Sequence, residues 1–253
     1  MNSYEIVQKY CKRKTIVSIS IKLVIFVSMV IGILATLLGN SFMTSQAFLF
    51  FTVQSNIWIG TWCLVFAILQ IVGVVNRKNY FKRWLFVIKY MFTTSITLTF
   101  VVMSAMLTPT MIQSGMGKSL LSLSNIFPHY VVPILSIVDF VLFDTSWETK
   151  KTDFLFAVIM PIYYLVFALV LGACGVQFSQ TGDTFPYFFL DYEAMGWFSL
   201  PCPDGKYGVF TFGVFWWILI LTVFVIGMGI LYLLIQRKMS KTKLASTPFI
   251  YEW

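Results

Sequence analysis

Apolar runs of about 20 residues recur six times along the 253-residue chain. A helix of that length crosses the roughly 30 Å hydrocarbon core of a bilayer. The pattern therefore predicts an all-α, polytopic membrane protein: a six-transmembrane-helix bundle in a single membrane domain over residues 1–253. The predicted spans cover residues 16–38, 47–75, 84–107, 127–143, 154–176 and 207–235. A long loop over residues 177–206 follows the fifth span.

The composition agrees with this class, because 58% of the residues are hydrophobic and only 11% are charged. Such a balance excludes a soluble globular protein of this length. The first apolar run is longer than a signal-peptide core and is not followed by a small-residue cleavage site. We therefore expect it to be a permanent span.

The basic residues predict the orientation of the bundle. Of the 18 lysines and arginines, 16 lie at one end of the predicted spans, and only Lys118 and Lys206 lie at the other. Because cytoplasmic loops are enriched in basic residues, both termini are predicted to be cytoplasmic. The net charge of +8 is thus a topology signal, and no nucleic-acid partner is expected.

Histidine occurs once, as His129 near the start of the fourth predicted span. An imidazole can exchange a proton near neutral pH, and its burial in lipid is costly, so His129 is a candidate site residue. The alternative is an interfacial histidine that only caps the helix or bonds a carbonyl. Four scattered cysteines and one histidine make no metal site, and we expect no metal or cofactor. Cys174 and Cys202 share the predicted outer side, and whether they form a disulfide stays open.

Polar residues also mark the second span. Thr52 and Asn56 are four residues apart and so share one helix face. Thr52 lies roughly 8 Å inside the predicted outer boundary at 1.5 Å of rise per residue, and His129 has a similar depth. A hydroxyl and an imidazole at one depth are the minimal parts of a nucleophile–base pair. A buried threonine can instead simply bond a carbonyl four residues earlier.

Two charges are expected to pair near the cytoplasmic side. Lys89 lies about five residues inside the third span, and Asp139 lies at the same depth in the fourth. Pairing is the least costly way to keep both in the membrane, although Lys89 has the alternative of extending to the interface.

Four short segments together resemble the signatures of one six-span membrane family. They are FFTVQSN at 50–56, PHYVVP at 128–133 with its tail at 139–144, MPIYY at 160–164 and YFFLDY at 187–192. The family is that of the androgen-induced and androgen-dependent TFPI-regulating membrane proteins and their bacterial relatives. The chain looks closest to the bacterial branch, which implies a multi-pass protein of the cell membrane.

The resemblance implies an intramembrane lipid esterase. The animal members act as threonine hydrolases on fatty acid esters of hydroxy fatty acids, and the two roles fall by motif on Thr52 as nucleophile and His129 as base. The implied partners are a lipid or fatty acid ester substrate and the membrane lipids. Within this mechanism Asn56 is a candidate oxyanion donor or a positioning residue that bridges to the third span. Asp191, in the aromatic-rich loop predicted to cover the site as a lid, is a candidate orienting group for the imidazole.

Two other functions remain open at this stage. A transporter or lipid-binding protein would use Lys89 and Asp139 as part of a polar pathway, but no inverted repeat or broken helix supports it. A non-catalytic scaffold is the third possibility.

Overall fold

A computed structural model describes residues 3–39, 46–113, 115–145, 147–178, 182–200, 212–241 and 249. Over these residues the protein is all-helical and contains no strand. Six helices are long and apolar enough to cross a membrane, which confirms the predicted fold class. In chain order they are α1 (Cys11–Leu38, the apolar part of Ser3–Leu38), α2 (Phe51–Asn76), α3 (Arg83–Gln113), α4 (Leu123–Phe143), α5 (Lys151–Ala173) and α6 (Val214–Met239).

The predicted span boundaries were wrong at several ends. The third helix continues to Gln113 and the fourth begins at Leu123, so the connection that was predicted as residues 108–126 is mostly helical. His129 consequently lies in the second turn of α4, one turn deeper than its predicted place. The predicted start of the sixth span at residue 207 lies outside the described residues, and α6 begins at Val214.

Helix α3 is the central helix of the bundle, and it contacts α2, α4, α5 and α6. The hydroxyl side chains of this helix explain why. Hydroxyls of Thr93, Ser95 and Thr97 donate to carbonyls four residues earlier, at 2.8 Å in each case. Hydroxyls satisfied by their own helix tolerate burial, so α3 packs against protein on almost every side.

Small residues let α1 approach α2 and α4 closely. A Cβ atom added at Gly60 would lie 2.8 Å from the Cβ of Met29, and one at Gly32 would lie 3.0 Å from the Cβ of Phe127. Glycine at such contacts lets helix backbones approach in a membrane, where dispersion contacts replace the hydrophobic effect. The Gly32 contact brings α1 against the turn of α4 that precedes His129.

A buried cluster of four charges joins α1, α3 and α4. The predicted pair of Lys89 with Asp139 is confirmed, but it is half of a larger arrangement. Lys22 of α1 also pairs with Asp139, at 2.7 Å, and Asp144 forms ion pairs with both lysines. The four side chains are almost fully buried, and two positive charges balance two negative ones. Equal opposite charges in contact are what makes their burial tolerable.

The basic ends of the helices meet at one end of the bundle. Arg83 Nε donates to the Glu148 carbonyl at 3.2 Å, and Arg237 Nε donates to Thr149 Oγ1 at 2.9 Å. The opposite end carries the starts of α2 and α4 and the segment after α5. Which end faces the cytoplasm stays a prediction from the charge distribution.

Residues 182–200, the longer described part of the predicted lid, pack on the bundle at the end that carries few basic residues. We call this part the covering segment. It contains a single 3₁₀ turn at Phe188–Leu190 and a one-turn helix at Tyr192–Met195, and Phe185, Phe189 and Met195 are buried. A Cβ atom at Gly172 of α5 would lie 3.0 Å from the Phe185 ring, so glycine at this position lets the covering segment pack closely on α5.

Candidate active site

A cavity of about 800 Å³, its open mouth included, lies beneath the covering segment. Residues of α2, α3, α5, α6 and the covering segment line it, and His129 is the contribution of α4. Both residues singled out as a nucleophile–base pair, Thr52 and His129, are on its wall. The structure thus brings together two side chains that are 77 positions apart in the sequence.

Thr52 Oγ1 and His129 Nε2 are 3.3 Å apart. This distance is at the long end of a hydrogen bond, as is common in sites without substrate. Thr52 is the second residue of α2, so its side chain leaves the helix where the chain enters from the covered end of the bundle. His129 reaches it from the second turn of α4.

The other ring nitrogen defines the tautomer of His129. Its Nδ1 lies 3.0 Å from the carbonyl oxygen of Asn125, one turn earlier in α4. A carbonyl oxygen can only accept, so Nδ1 must carry the hydrogen and donate it. Nε2 of a neutral ring is then an acceptor, and the Thr52 hydroxyl donates to it. This is the arrangement that a general base requires.

A π-helical turn over Phe127–Val131 places the imidazole. Pro133 has no N–H with which to bond the carbonyl of His129, four residues earlier, and its ring crowds that carbonyl. The turn widens, and the N–H of Val132 bonds the carbonyl of Phe127, five residues earlier. Such turns change the direction of the side chains they carry and are frequent at functional sites.

Asn56 does not act as the predicted oxyanion donor in this geometry, because both N–H groups of its amide are already used. Its Nδ2 donates to the Thr52 carbonyl at 2.7 Å and to the Pro128 carbonyl at 3.0 Å. The buried amide therefore ties the turn that carries Thr52 to the turn that carries His129. The alternative prediction of a positioning residue fits, but the bridge runs to the fourth helix and not to the third.

Asp191 does not orient the imidazole, contrary to the sequence-based prediction. Its carboxylate accepts the N–H of Ala194 at 2.9 Å and caps the one-turn helix of the covering segment. The two ring nitrogens of His129 are paired with Thr52 and with the Asn125 carbonyl. A backbone carbonyl thus takes the place that a carboxylate has in a catalytic triad, and no sequence signal marks such a group.

Tyr187 is a site residue that sequence reasoning missed, although it begins one of the recognised motifs. It lines the cavity, and its hydroxyl lies close to the Thr52 side chain, to the backbone of Phe51 and Thr52 and to the Tyr164 hydroxyl. Burial raises the pKa of the Tyr187 phenol above its ordinary value, so the group stays protonated at neutral pH.

The rest of the cavity wall is apolar. Among the lining residues, only threonine, tyrosine and histidine side chains carry polar atoms, and none is charged at neutral pH when His129 is neutral. A ligand of this cavity therefore meets hydrocarbon over most of its surface. Pockets of this composition bind apolar ligands and orient them by a few polar contacts.

The cavity reaches the lipid-facing surface between α5 and α6. Helix α6 packs closely on the first part of α5, Lys151–Val158, but not on Ile159–Ala173. Ile162 of α5 lines the cavity and is nevertheless 48% exposed. Leu221 and Ile218 face it from α6. The gap between these parts of the two helices is therefore a candidate entrance for an apolar chain.

Among the described residues, no group of three histidine, cysteine or acidic side chains is placed to hold a metal ion. Of the two cysteines considered for a disulfide, Cys174 is exposed and Cys202 lies outside the described residues. Comparisons of the chain with protein-family models, with curated proteins and with solved structures found no match.

Proposed function

We propose that the protein is a membrane-embedded hydrolase of lipid esters, with Thr52 as the nucleophile and His129 as the general base. The observation that carries the proposal is the 3.3 Å contact between the Thr52 hydroxyl and the unprotonated nitrogen of His129, Nε2, at the wall of an apolar cavity. A threonine hydroxyl alone is a poor nucleophile and needs a base within reach. The motif resemblance to threonine hydrolases points to the same two residues.

The reaction proceeds through an acyl-enzyme. As Thr52 Oγ1 attacks the ester carbonyl carbon, its proton moves to His129 Nε2, and the imidazolium then gives that proton to the leaving alkoxide. This releases an alcohol and leaves the acyl group on Thr52. A water molecule next attacks the acyl ester, His129 takes a proton from it and returns it to Thr52, and the free acid leaves. The Asn125 carbonyl keeps Nδ1 as the donor throughout.

The substrate that suits this cavity is a neutral ester with a long acyl chain. The absence of charged side chains among the lining residues leaves nothing to pair with a phosphate near the reacting bond. The gap between α5 and α6 supplies a route for the chain from the bilayer. Fatty acid esters of hydroxy fatty acids are the class suggested by the resemblance, and the cell membrane is the location it suggests.

Transport through the charged residues has no observation in its favour. Lys89 and Asp139 are paired with one another and with Lys22 and Asp144, and none of the four lines the cavity. Lipid binding without catalysis uses the same cavity, and it differs from hydrolysis in not requiring the Thr52 hydroxyl.

Covalent labelling separates catalysis from binding. The purified protein in lipid nanodiscs is treated with an alkyl fluorophosphonate, and the adduct is located by peptide mass spectrometry. We expect labelling on Thr52, lost in Thr52→Val and His129→Ala. Thr222→Val is the matched control, because Thr222 lines the same cavity but is the partner of neither ring nitrogen of His129. Labelling and long-chain ester hydrolysis that persist in Thr52→Val would show that the cavity only binds lipid or uses another nucleophile.

A further inference from the structure

The covering segment reaches the reacting hydroxyl through one residue, Tyr187. Its phenol oxygen meets the Thr52 side chain from within the cavity, while His129 Nε2 contacts the same hydroxyl at 3.3 Å. Thr52 therefore has a base and a second hydroxyl as neighbours. In the proposed mechanism only the base has a role. The oxyanion still lacks a hydrogen-bond donor, because the amide of Asn56 already donates to two carbonyls.

The phenol is held in one place by a stack of aromatic rings. The ring of Tyr187 lies parallel to that of Phe189, with centroids 5.1 Å apart and planes at 2°. The rings of Phe50 and Tyr164 also pack on it, with centroids 6.0 and 6.2 Å from that of Tyr187. Tyr164 is fixed in turn, since its hydroxyl donates to the Leu49 carbonyl at 3.0 Å. A side chain packed in this way keeps its hydroxyl where it is without reorganising during a reaction.

In the free site the phenol hydrogen is directed at Thr52: because Thr52 donates its own hydrogen to His129, Tyr187 is the donor where the two hydroxyls meet. Helix α2 has no side-chain cap at its N-terminus, so its first N–H groups lack intrahelical partners. Those of Phe51 and Thr52 lie close to the Tyr187 oxygen. When an ester carbonyl replaces Thr52 as the neighbouring acceptor, the phenol O–H turns to it by rotation about its C–O bond.

We propose that Tyr187 is the oxyanion donor of the site: its O–H donates a hydrogen bond to the ester carbonyl oxygen as that oxygen becomes negative in the tetrahedral intermediate. No proton is transferred to or from the phenol. In a reactive complex the carbonyl carbon lies about 3–3.5 Å from the attacking Thr52 oxygen. The carbonyl oxygen, one bond further, then lies close to a donor that itself contacts Thr52. This inference rests on the proposed hydrolase function.

Substitution of Tyr187 by phenylalanine tests the role, because it removes the hydroxyl and keeps the ring in the aromatic stack. Loss of a single oxyanion donor lowers kcat by about 10²–10³-fold in well-studied hydrolases. We expect a loss of that order for Tyr187→Phe with KM changed less than about threefold, since the hydrogen bond forms mainly in the transition state. Fluorophosphonate labelling should slow in parallel. Tyr192→Phe is the matched control, since Tyr192 belongs to the same segment and packs on Phe185 and Trp197 outside the cavity.

Two further measurements keep the outcome decisive. The melting temperature and the affinity for a non-hydrolysable long-chain ether should be unchanged in Tyr187→Phe; loss of ether binding would make Tyr187 a structural or binding residue and overturn the inference. Unchanged or increased kcat in the variant, with hydrolysis by the unsubstituted protein still dependent on Thr52, would also overturn it while leaving the hydrolase proposal intact. Absence of Thr52-dependent hydrolysis in the unsubstituted protein would overturn both.

Discussion

Lys22 of α1 and Asp139 of α4 form a buried ion pair, with Nζ and Oδ1 2.7 Å apart. Lys22 lies well inside the first membrane helix, several turns from either end. A second lysine, Lys89, shares the same carboxylate. Because every charge in this cluster has an opposite partner, the cluster connects α1, α3 and α4 at a depth below the candidate active site.

Replacing Asp139 by asparagine should destabilise the bundle strongly. The change keeps the size of the side chain but leaves Lys22 and Lys89 with Asp144 as their only carboxylate partner in the cluster. Removal of one partner from a buried ion pair typically costs about 3–5 kcal/mol. The measurement is the melting temperature in detergent, together with the amount of protein recovered from membranes.

The matched variant is the double substitution Lys22→Met with Asp139→Asn, which restores charge balance by leaving Lys89 with Asp144. It should recover much of the lost stability, since neither remaining charge is unpaired. Equal stability of Asp139→Asn and the unsubstituted protein would contradict a structural role for the cluster.

The comparison of sequence and structure shows which features have a local signal. Apolar length predicts six helices, and equal depth with opposite charge predicts the pair of Lys89 and Asp139. Lys22 was missed because a lysine about two turns inside a predicted span has the same signal whether it extends to the interface or points into the bundle. Only the packing of α1 against α4, which depends on contacts distant in sequence, decides between the two.

The candidate site divides in the same way. Thr52 and His129 were predicted from motif, polarity and depth, all of which are properties of single segments. The groups that support them are the Asn125 carbonyl, the amide of Asn56 and the Tyr187 hydroxyl. Their roles depend on which backbone groups a neighbouring helix presents and on a ring stack in the covering segment. Neither the backbone groups of a neighbouring helix nor the ring stack can be predicted from the sequence alone.

Thr52 and His129 should behave as one catalytic unit. Thr52→Ala and His129→Ala should each abolish ester hydrolysis, and the double variant should be hardly worse than either, because neither group works without the other. Thr52→Ser should keep measurable activity, since it retains the hydroxyl and loses one methyl group. The measurement is kcat/KM on a long-chain ester at matched protein recovery. Additive losses in the double variant would argue against a shared step.

Asn56→Leu should weaken both activity and stability. The substitution removes the bonds from Nδ2 to the carbonyls of Thr52 and Pro128, so the Pro128 carbonyl loses this donor and the turns that carry Thr52 and His129 are free to separate. Leaving a buried polar group without its bond costs about 1–3 kcal/mol. We expect a lower melting temperature and a lower kcat. Asn76→Leu, at the exposed far end of α2, is the control and should match the unsubstituted protein in both.

The orientation of the bundle can be tested with single cysteines. After Cys174 and Cys202 are replaced by serine, a cysteine is placed either at Glu193 in the covering segment or at Asn79 between α2 and α3; both positions are exposed. If the termini are cytoplasmic, as the basic residues predict, a membrane-impermeant maleimide should label position 193 on intact cells. Position 79 should be labelled only after permeabilisation. The reverse pattern would place the active site on the cytoplasmic side.

The route of the acyl chain gives the last prediction. If substrates enter between α5 and α6, a bulky side chain at Ile162 should narrow the gap, because this residue lines the cavity and is also 48% exposed. Ile162→Trp should therefore lower kcat/KM for long-chain esters by more than it does for short, water-soluble esters, which need less of the gap.

Val166→Trp is the control: Val166 is one turn further along the same helix and similarly exposed, at 55%, but it does not line the cavity. The measurement is kcat/KM over a series of acyl lengths in nanodiscs for both variants. Because a tryptophan at either position meets the same lipid, a loss that grows with chain length in Ile162→Trp alone would locate the entrance between α5 and α6. Equal losses for every chain length, or the same length dependence in Val166→Trp, would show that the acyl chain reaches Thr52 by another path.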